Sequence, residues 1–175
     1  MNSIIAAVRN SDELFRAVES GVGMIFHLSP DIMSLPADVK KVHSAGKKIF
    51  IHIDLAEGIG KDKLGLEYSK KCGVDGIIST RNNMIRFARD TGLFTVQRFF
   101  IVDSHSIDTT VESLKMSKPD MIEIMAGVAP KIIRQIKGKT DIPVIAGGLI
   151  DNEAEVREAI NNGANAISTG KVELW

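Results

Sequence analysis

The chain has 175 residues, 44% of them hydrophobic and 25% charged, with a formal net charge of +0. That is an ordinary globular mixture with length for one buried core, so it excludes a disordered chain and a whole-chain basic footprint for nucleic acid. The lone cysteine, Cys72, excludes an internal disulfide framework, and no apolar run nears the ~20 residues that span a bilayer. Met1-Asn2-Ser3-Ile4 shows no signal-peptide pattern, so a cytoplasmic location without membrane contact is expected.

Short apolar runs alternate with helix-like segments throughout. Ile4–Val8 reads as the first strand, and Asn10 with Glu13 has capping-box spacing, starting a helix that ends near Gly21. Residues 22–28 make the second strand; Pro36 suits a first helical turn, Val39 and Val42 continue its apolar face, and Gly46 stops it. Residues 48–54 are the clearest strand, followed by a helix over 63–72. A fourth strand at 76–78, a helix over 83–91 closed by Gly92, and a fifth strand at 94–101 come next. A helix over 106–116 halts before Pro119, and Met121–Met125 is the sixth strand. The sixth helix, 129–137, puts Ile132, Ile133 and Ile136 on one face. Residues 142–146 form the seventh strand, Asp151 caps the next helix, and 164–168 form the eighth strand. Only 171–175 follow its loop, too few for an eighth helix.

Strands separated by helices predict parallel pairing through right-handed crossovers. About eight units predict a compact α/β barrel of the TIM type, one domain over 1–175 with its last helix missing. An open doubly wound sheet is the alternative; the barrel is preferred because polar residues recur within strands, as a polar mouth requires. A flank without its helix predicts a homo-oligomer.

The seventh strand ends in Ala146-Gly147-Gly148 and the eighth in Ser168-Thr169-Gly170-Lys171. Glycines let backbone N–H groups approach an anion, and barrels commonly hold phosphate between these two loops. Gly147, Gly148, Ser168, Thr169 and Gly170 are therefore the phosphate-binding candidates. In the third strand Ile49, Ile51, Ile53 and Leu55 share one face, turning Phe50, His52 and Asp54 into the barrel. Glu123, between Ile122 and Ile124, turns inward by the same parity, and one of Gln97 and Arg98 must do so. Arg98 either pairs with a carboxylate or holds an anion. His52, Asp54, Arg98 and Glu123 are the candidates for the rest of the ligand.

No tight ligand pair fixes a metal, no strand interior carries a Schiff-base lysine, and no nucleophilic triad is visible, so no metal, cofactor or catalytic set is expected. An isomerase or lyase acting on a small sugar phosphate, with Asp54 and Asp103 as its acid/base pair, is the competing reading. Lys131, Arg134 and Lys137 line one side of the sixth helix, and Arg86 and Arg89 one side of the fourth. These are either ordinary solvated surface or contacts to an RNA backbone.

His52-Ile53-Asp54-Leu55, Gly76-Ile77-Ile78-Ser79-Thr80-Arg81, Gln97-Arg98-Phe99-Phe100 and Ile145-Ala146-Gly147-Gly148-Leu149-Ile150 together resemble the glycerol uptake operon antiterminators over nearly the whole chain. The resemblance implies a TIM-like fold and a bacterial regulator that senses glycerol 3-phosphate and acts on leader RNA. It further implies that Gly147, Gly148, Ser168 and Thr169 hold the phosphate, and that Asp54, Arg98 and Glu123 read the glycerol part or link it to RNA. Ile124-Met125-Ala126-Gly127 and Ser168-Thr169-Gly170 depart from the family's usual segments beside the expected ligand.

Overall fold

The structure, a computed structural model, describes residues 3–125 and 127–175; Met1, Asn2 and Ala126 lie outside the described residues. Eight strands alternate with seven helices: β1 (Ile4–Val8), α1 (Ser11–Glu19), β2 (Met24–His27), α2 (Leu35–Ser44), β3 (Lys48–His52), α3 (Lys63–Lys71), β4 (Gly76–Ser79) and α4 (Asn82–Asp90). The second half continues with β5 (Phe94–Phe100), α5 (Ser104–Ser117), β6 (Met121–Met125), α6 (Pro130–Lys137), β7 (Val144–Gly147), α7 (Glu153–Asn161) and β8 (Ala166–Thr169). Each strand pairs in parallel with its sequence neighbour, and β1 also pairs with β8, closing a TIM-type barrel. A sheet closed on itself leaves no edge to protect.

Period-2 alternation sorts the strand residues into two cores. Ile25, Ile49, Ile51 and Ile77 face the helices, while Ile5, Phe26, Phe50, Ile78, Val96 and Ile145 fill the barrel. Phe50 sits between Phe26 and Phe94, with ring centroids 5.7 and 5.6 Å away. The middle layer of the barrel is therefore apolar, and Arg98, Glu123 and Ser168 lie toward the strand C-termini, beyond it.

Three departures from the sequence reading bear on the site and its surroundings. β3 stops at His52, and Ile53–Leu55 wind into a 3-10 turn, so period-2 alternation does not reach Asp54. α5 starts at Ser104, two residues early, because Asp103 caps it by accepting from the Ser106 N–H at 2.8 Å. The α7 cap is Asn152 and not Asp151: Asn152 accepts from the Glu155 N–H at 3.0 Å, and Glu155 accepts from the Asp151 N–H at 2.7 Å. Among the described residues no eighth α-helix follows β8. A 3-10 turn at Val172–Leu174 takes its place, and the Trp175 indole N–H donates to the Thr169 carbonyl at 2.8 Å.

The fastenings of the barrel repeat every second unit. Asn10, Asp62, Asp103 and Asn152 cap α1, α3, α5 and α7 with side-chain oxygens, whereas the N-cap residues of α2, α4 and α6 make no such bond. At the other end of the barrel, Asp75, Asp120 and Asn165 precede β4, β6 and β8. They accept from the Ile49, Thr95 and Val144 N–H groups at 2.9, 2.8 and 2.9 Å, satisfying donors at the start of β3, β5 and β7. No helix among the described residues is long and apolar enough to cross a membrane.

Candidate ligand site at the barrel mouth

A cleft of about 320 Å³ opens at the C-terminal end of the barrel. Arg98 and Glu123 form its floor, the backbone of Gly148–Ile150 and Gly170 its walls, and Arg9 and Lys171 its cationic rim. Parity decides the floor. Gln97 points outward, where its amide donates to Asn82 Oδ1 at 2.6 Å and accepts from Ser117 Oγ at 2.5 Å. Its neighbour Arg98 must then point inward.

Arg98 Nε donates to Glu123 Oε2 at 2.6 Å, with both side chains almost wholly buried. A charge-assisted bond of this length, out of water, is strong, and each ion needs the other to be tolerable there. The pair is incompletely satisfied. Glu123 Oε1 is buried without a hydrogen-bond partner, while Arg98 meets the carboxylate through Nε alone. Buried polar atoms left open in this way mark a place for a ligand or water.

The two glycines of the β7 loop serve different ends. A Cβ at Gly147 would lie 2.6 Å from Glu123 Oε1, so this glycine makes room for the carboxylate. Gly148 has φ +78°, a left-handed conformation that turns the loop away from the strand. Leu149 follows at φ +61° although it has a side chain, and that side chain is 72% exposed. A non-glycine residue held in this conformation costs stability for the sake of local geometry. Leu149→Gly is expected to raise stability by about 1 kcal/mol in urea unfolding; an unchanged midpoint counts against strain at this residue.

The β8 loop also divides its work. Ser168 and Thr169 both line the cleft, while Ile167 packs into the core beneath the helices. The Thr169 hydroxyl donates to the Ile150 carbonyl at 2.8 Å and accepts from the Lys171 N–H at 3.0 Å. Thr169 thus ties the two loops together, and its hydroxyl is committed to the protein. Arg9, which sequence reasoning did not single out, lies over Gly170: a Cβ there would be 3.5 Å from Arg9 Nη1. Its only sequence signal is its place directly after β1, at the rim shared by every strand end.

His52 is inward and buried beside Arg98, with Nδ1 unpartnered, but it does not line the cleft. Burial first, and then the Arg98 charge, lower its pKa from 6.5 to about 4. The unfolded chain therefore takes up a proton that the folded chain resists. The neutral imidazole's contribution to stability is fully present above pH 6.5 and is lost as pH falls toward 4. Urea midpoints from pH 7 to 4.5 are expected to fall less steeply in His52→Gln; parallel curves would contradict this.

Asp54 is placed elsewhere than the strand reading had it. From the 3-10 turn, its carboxylate accepts from Ser79 Oγ at 2.8 Å, the Thr80 N–H at 2.8 Å and Thr80 Oγ1 at 3.0 Å. The Arg81 Nε stands 3.5 Å away. Asp54 therefore clamps the turn after β4 and does not line the mouth cleft. Asp103 caps α5 through Oδ1, and neither carboxylate lines the mouth cleft. No cluster of three metal-ligating side chains occurs among the described residues.

The cationic helices flank α5. On α4, Arg86 is exposed, while Arg89 donates to the Ser117 carbonyl at 3.1 Å. On α6, Lys131 is exposed, Arg134 donates to Asn162 Oδ1 at 2.5 Å, and Lys137 packs against Gly163. Three of the five cations are thus partly committed to neighbouring elements.

The chain is similar over nearly its whole length to known proteins. The "Uncharacterized protein YgcP" of Escherichia coli (strain K12) is 39% identical over 175 residues, 99% of this chain and 92% of that protein. A solved structure described as a glycerol uptake operon antiterminator regulatory protein, from Listeria monocytogenes, is 34% identical. It superposes with a TM-score of 0.93 over 99% of this chain and 94% of that one. A glycerol uptake operon antiterminator-related protein from Thermotoga maritima is 33% identical with a TM-score of 0.88, covering 99% of this chain and 98% of that one. The family model described as "Glycerol-3-phosphate responsive antiterminator" matches residues 4–175, and the chain belongs to that family.

Proposed function

We propose that the chain binds glycerol 3-phosphate, or a closely similar small polyol phosphate, at the barrel mouth. In that state it acts on the leader RNA of glycerol-use genes, letting transcription pass a terminator. The observation that carries the ligand half is the buried Glu123 Oε1, open beside Arg98 at the floor of a glycine-walled, cation-rimmed cleft. In this reading the N–H groups around Gly148 and Gly170, the Ser168 hydroxyl, Arg9 and Lys171 hold the phosphate. Arg98 reaches toward it, and Glu123 Oε1 accepts from a polyol hydroxyl. The RNA half rests on the family and on the cations of α4 and α6, which supply sequence-independent attraction to a phosphate backbone. Such a regulator works in the cytoplasm. It also self-associates in this reading, through the flank where Phe15 of α1 stands 57% exposed beside the C-terminal turn.

Mobility-shift titration with leader transcript, with and without glycerol 3-phosphate, tests the proposal. A shift that appears or tightens with ligand is expected, and a ligand-independent result at physiological salt would sink it. An isomerase or lyase would need two carboxylates converging on one reacting atom. Asp54 and Asp103 are bound into separate turns, so the geometry favours a sensor.

A further inference from the structure

We propose that the outer cleft between α4 and α5 docks a nucleobase of single-stranded RNA, with Phe100 as its stacking platform. This rests on the RNA-directed reading above and gives it a base-contacting surface. The cleft has a volume of about 400 Å³, ordinary for a small-molecule site. Phe100, at the end of β5, is 60% exposed there. RNA readers use an exposed aromatic face beside fixed polar groups to capture an unstacked base.

Two polar edges accompany the platform. Asn82 Oδ1 accepts from Gln97 Nε2 at 2.6 Å and Ser113 Oγ at 2.5 Å, which orients the amide and leaves Nδ2 to donate to a base carbonyl or ring nitrogen. Asp103 Oδ1 is taken by the N–H and hydroxyl of Ser106, leaving Oδ2 to accept from an exocyclic amino group. Arg81, half exposed, directly precedes Asn82 and can meet the backbone phosphate. Asp54, which has no part in the mouth cleft, holds this Ser79–Arg81 turn in place.

The outer cleft shares a strand with the ligand site. Arg98 faces the mouth, Gln97 faces outward to hold Asn82, and Phe100 stands two residues beyond Arg98. A ligand that draws on Arg98 therefore acts on the strand that carries the platform.

Labelled homopolymeric single-stranded RNAs and the leader transcript, titrated into the full chain with saturating glycerol 3-phosphate, test this by fluorescence anisotropy. Phe100→Ala is expected to weaken RNA binding about tenfold, and Phe100→Trp to retain it. Calorimetric binding of glycerol 3-phosphate should be unchanged in both, and ultraviolet crosslinks on the wild type should map to the peptide that contains Phe100. Unchanged RNA binding in Phe100→Ala overturns the assignment of the cleft and leaves the RNA-directed reading standing. Absence of RNA binding by the wild type overturns both. Loss of glycerol 3-phosphate binding in Phe100→Ala makes the residue part of the ligand site and also overturns the assignment.

Discussion

Replacing Arg98 with alanine is expected to destabilise the fold by about 3–5 kcal/mol and to remove ligand binding. Glu123 is 0% exposed, and among the described residues its hydrogen-bond partner is the guanidinium 2.6 Å away. Removing the cation leaves either an uncompensated buried charge or a carboxyl group that must take up a proton, and both are costly. The double change Arg98→Met with Glu123→Leu should recover most of the lost stability, because apolar side chains of similar volume need no partner. It should bind no better than the single variant. Urea unfolding and calorimetry separate the two effects. A single variant within 1 kcal/mol of wild type, or a double variant that still binds, would remove the pair from the centre of the site.

Gly147→Ala should be nearly as damaging, although it adds one methyl group. The new Cβ would stand 2.6 Å from Glu123 Oε1 and 3.2 Å from both Cδ and Cγ. An exposed glutamate would swing aside, but this one is buried and held by Arg98. The expected cost is about 2–3 kcal/mol of stability, together with at least about a tenfold loss of ligand affinity, equivalent to 1.4 kcal/mol. In the Arg98→Met, Glu123→Leu background the pinned carboxylate is gone, so the penalty should change in size. An identical penalty in both backgrounds would show that the glycine serves the backbone alone.

The strand–helix alternation was legible because each strand is short, apolar and bounded by caps or glycines, as at Asn10–Glu13 and Gly92. The inward direction of Glu123 was legible too, because Ile122 and Ile124 leave only one face for it. Gln97 and Arg98 could not be separated by parity without the barrel register, which turned on the amide's partners outside the sheet. Asp54 was misplaced for a local reason: the chain winds into a 3-10 turn one residue after His52, and alternation carries no information past a strand's end. Ser168 and Thr169 looked equivalent as hydroxyl donors, and both line the cleft, yet the Thr169 hydroxyl is taken by the Ile150 carbonyl and the Lys171 N–H, partners no local pattern announces. Arg9 carried no motif of its own, since a single charge after a strand is common on any surface.

The alternating fastenings carry a consequence for motion. α3, α5 and α7 are held at both extremities, by a side-chain cap at the start and by the Asp75, Asp120 or Asn165 bond just past the end. α4 and α6 begin without a side-chain cap, at Arg81 and Ala129. First-turn amides of α4 and α6 should therefore exchange with deuterated solvent ahead of those of α3, α5 and α7. The barrel then divides into stiff staves and looser ones standing between them, and the arginines and lysines of α4 and α6 ride on the looser kind.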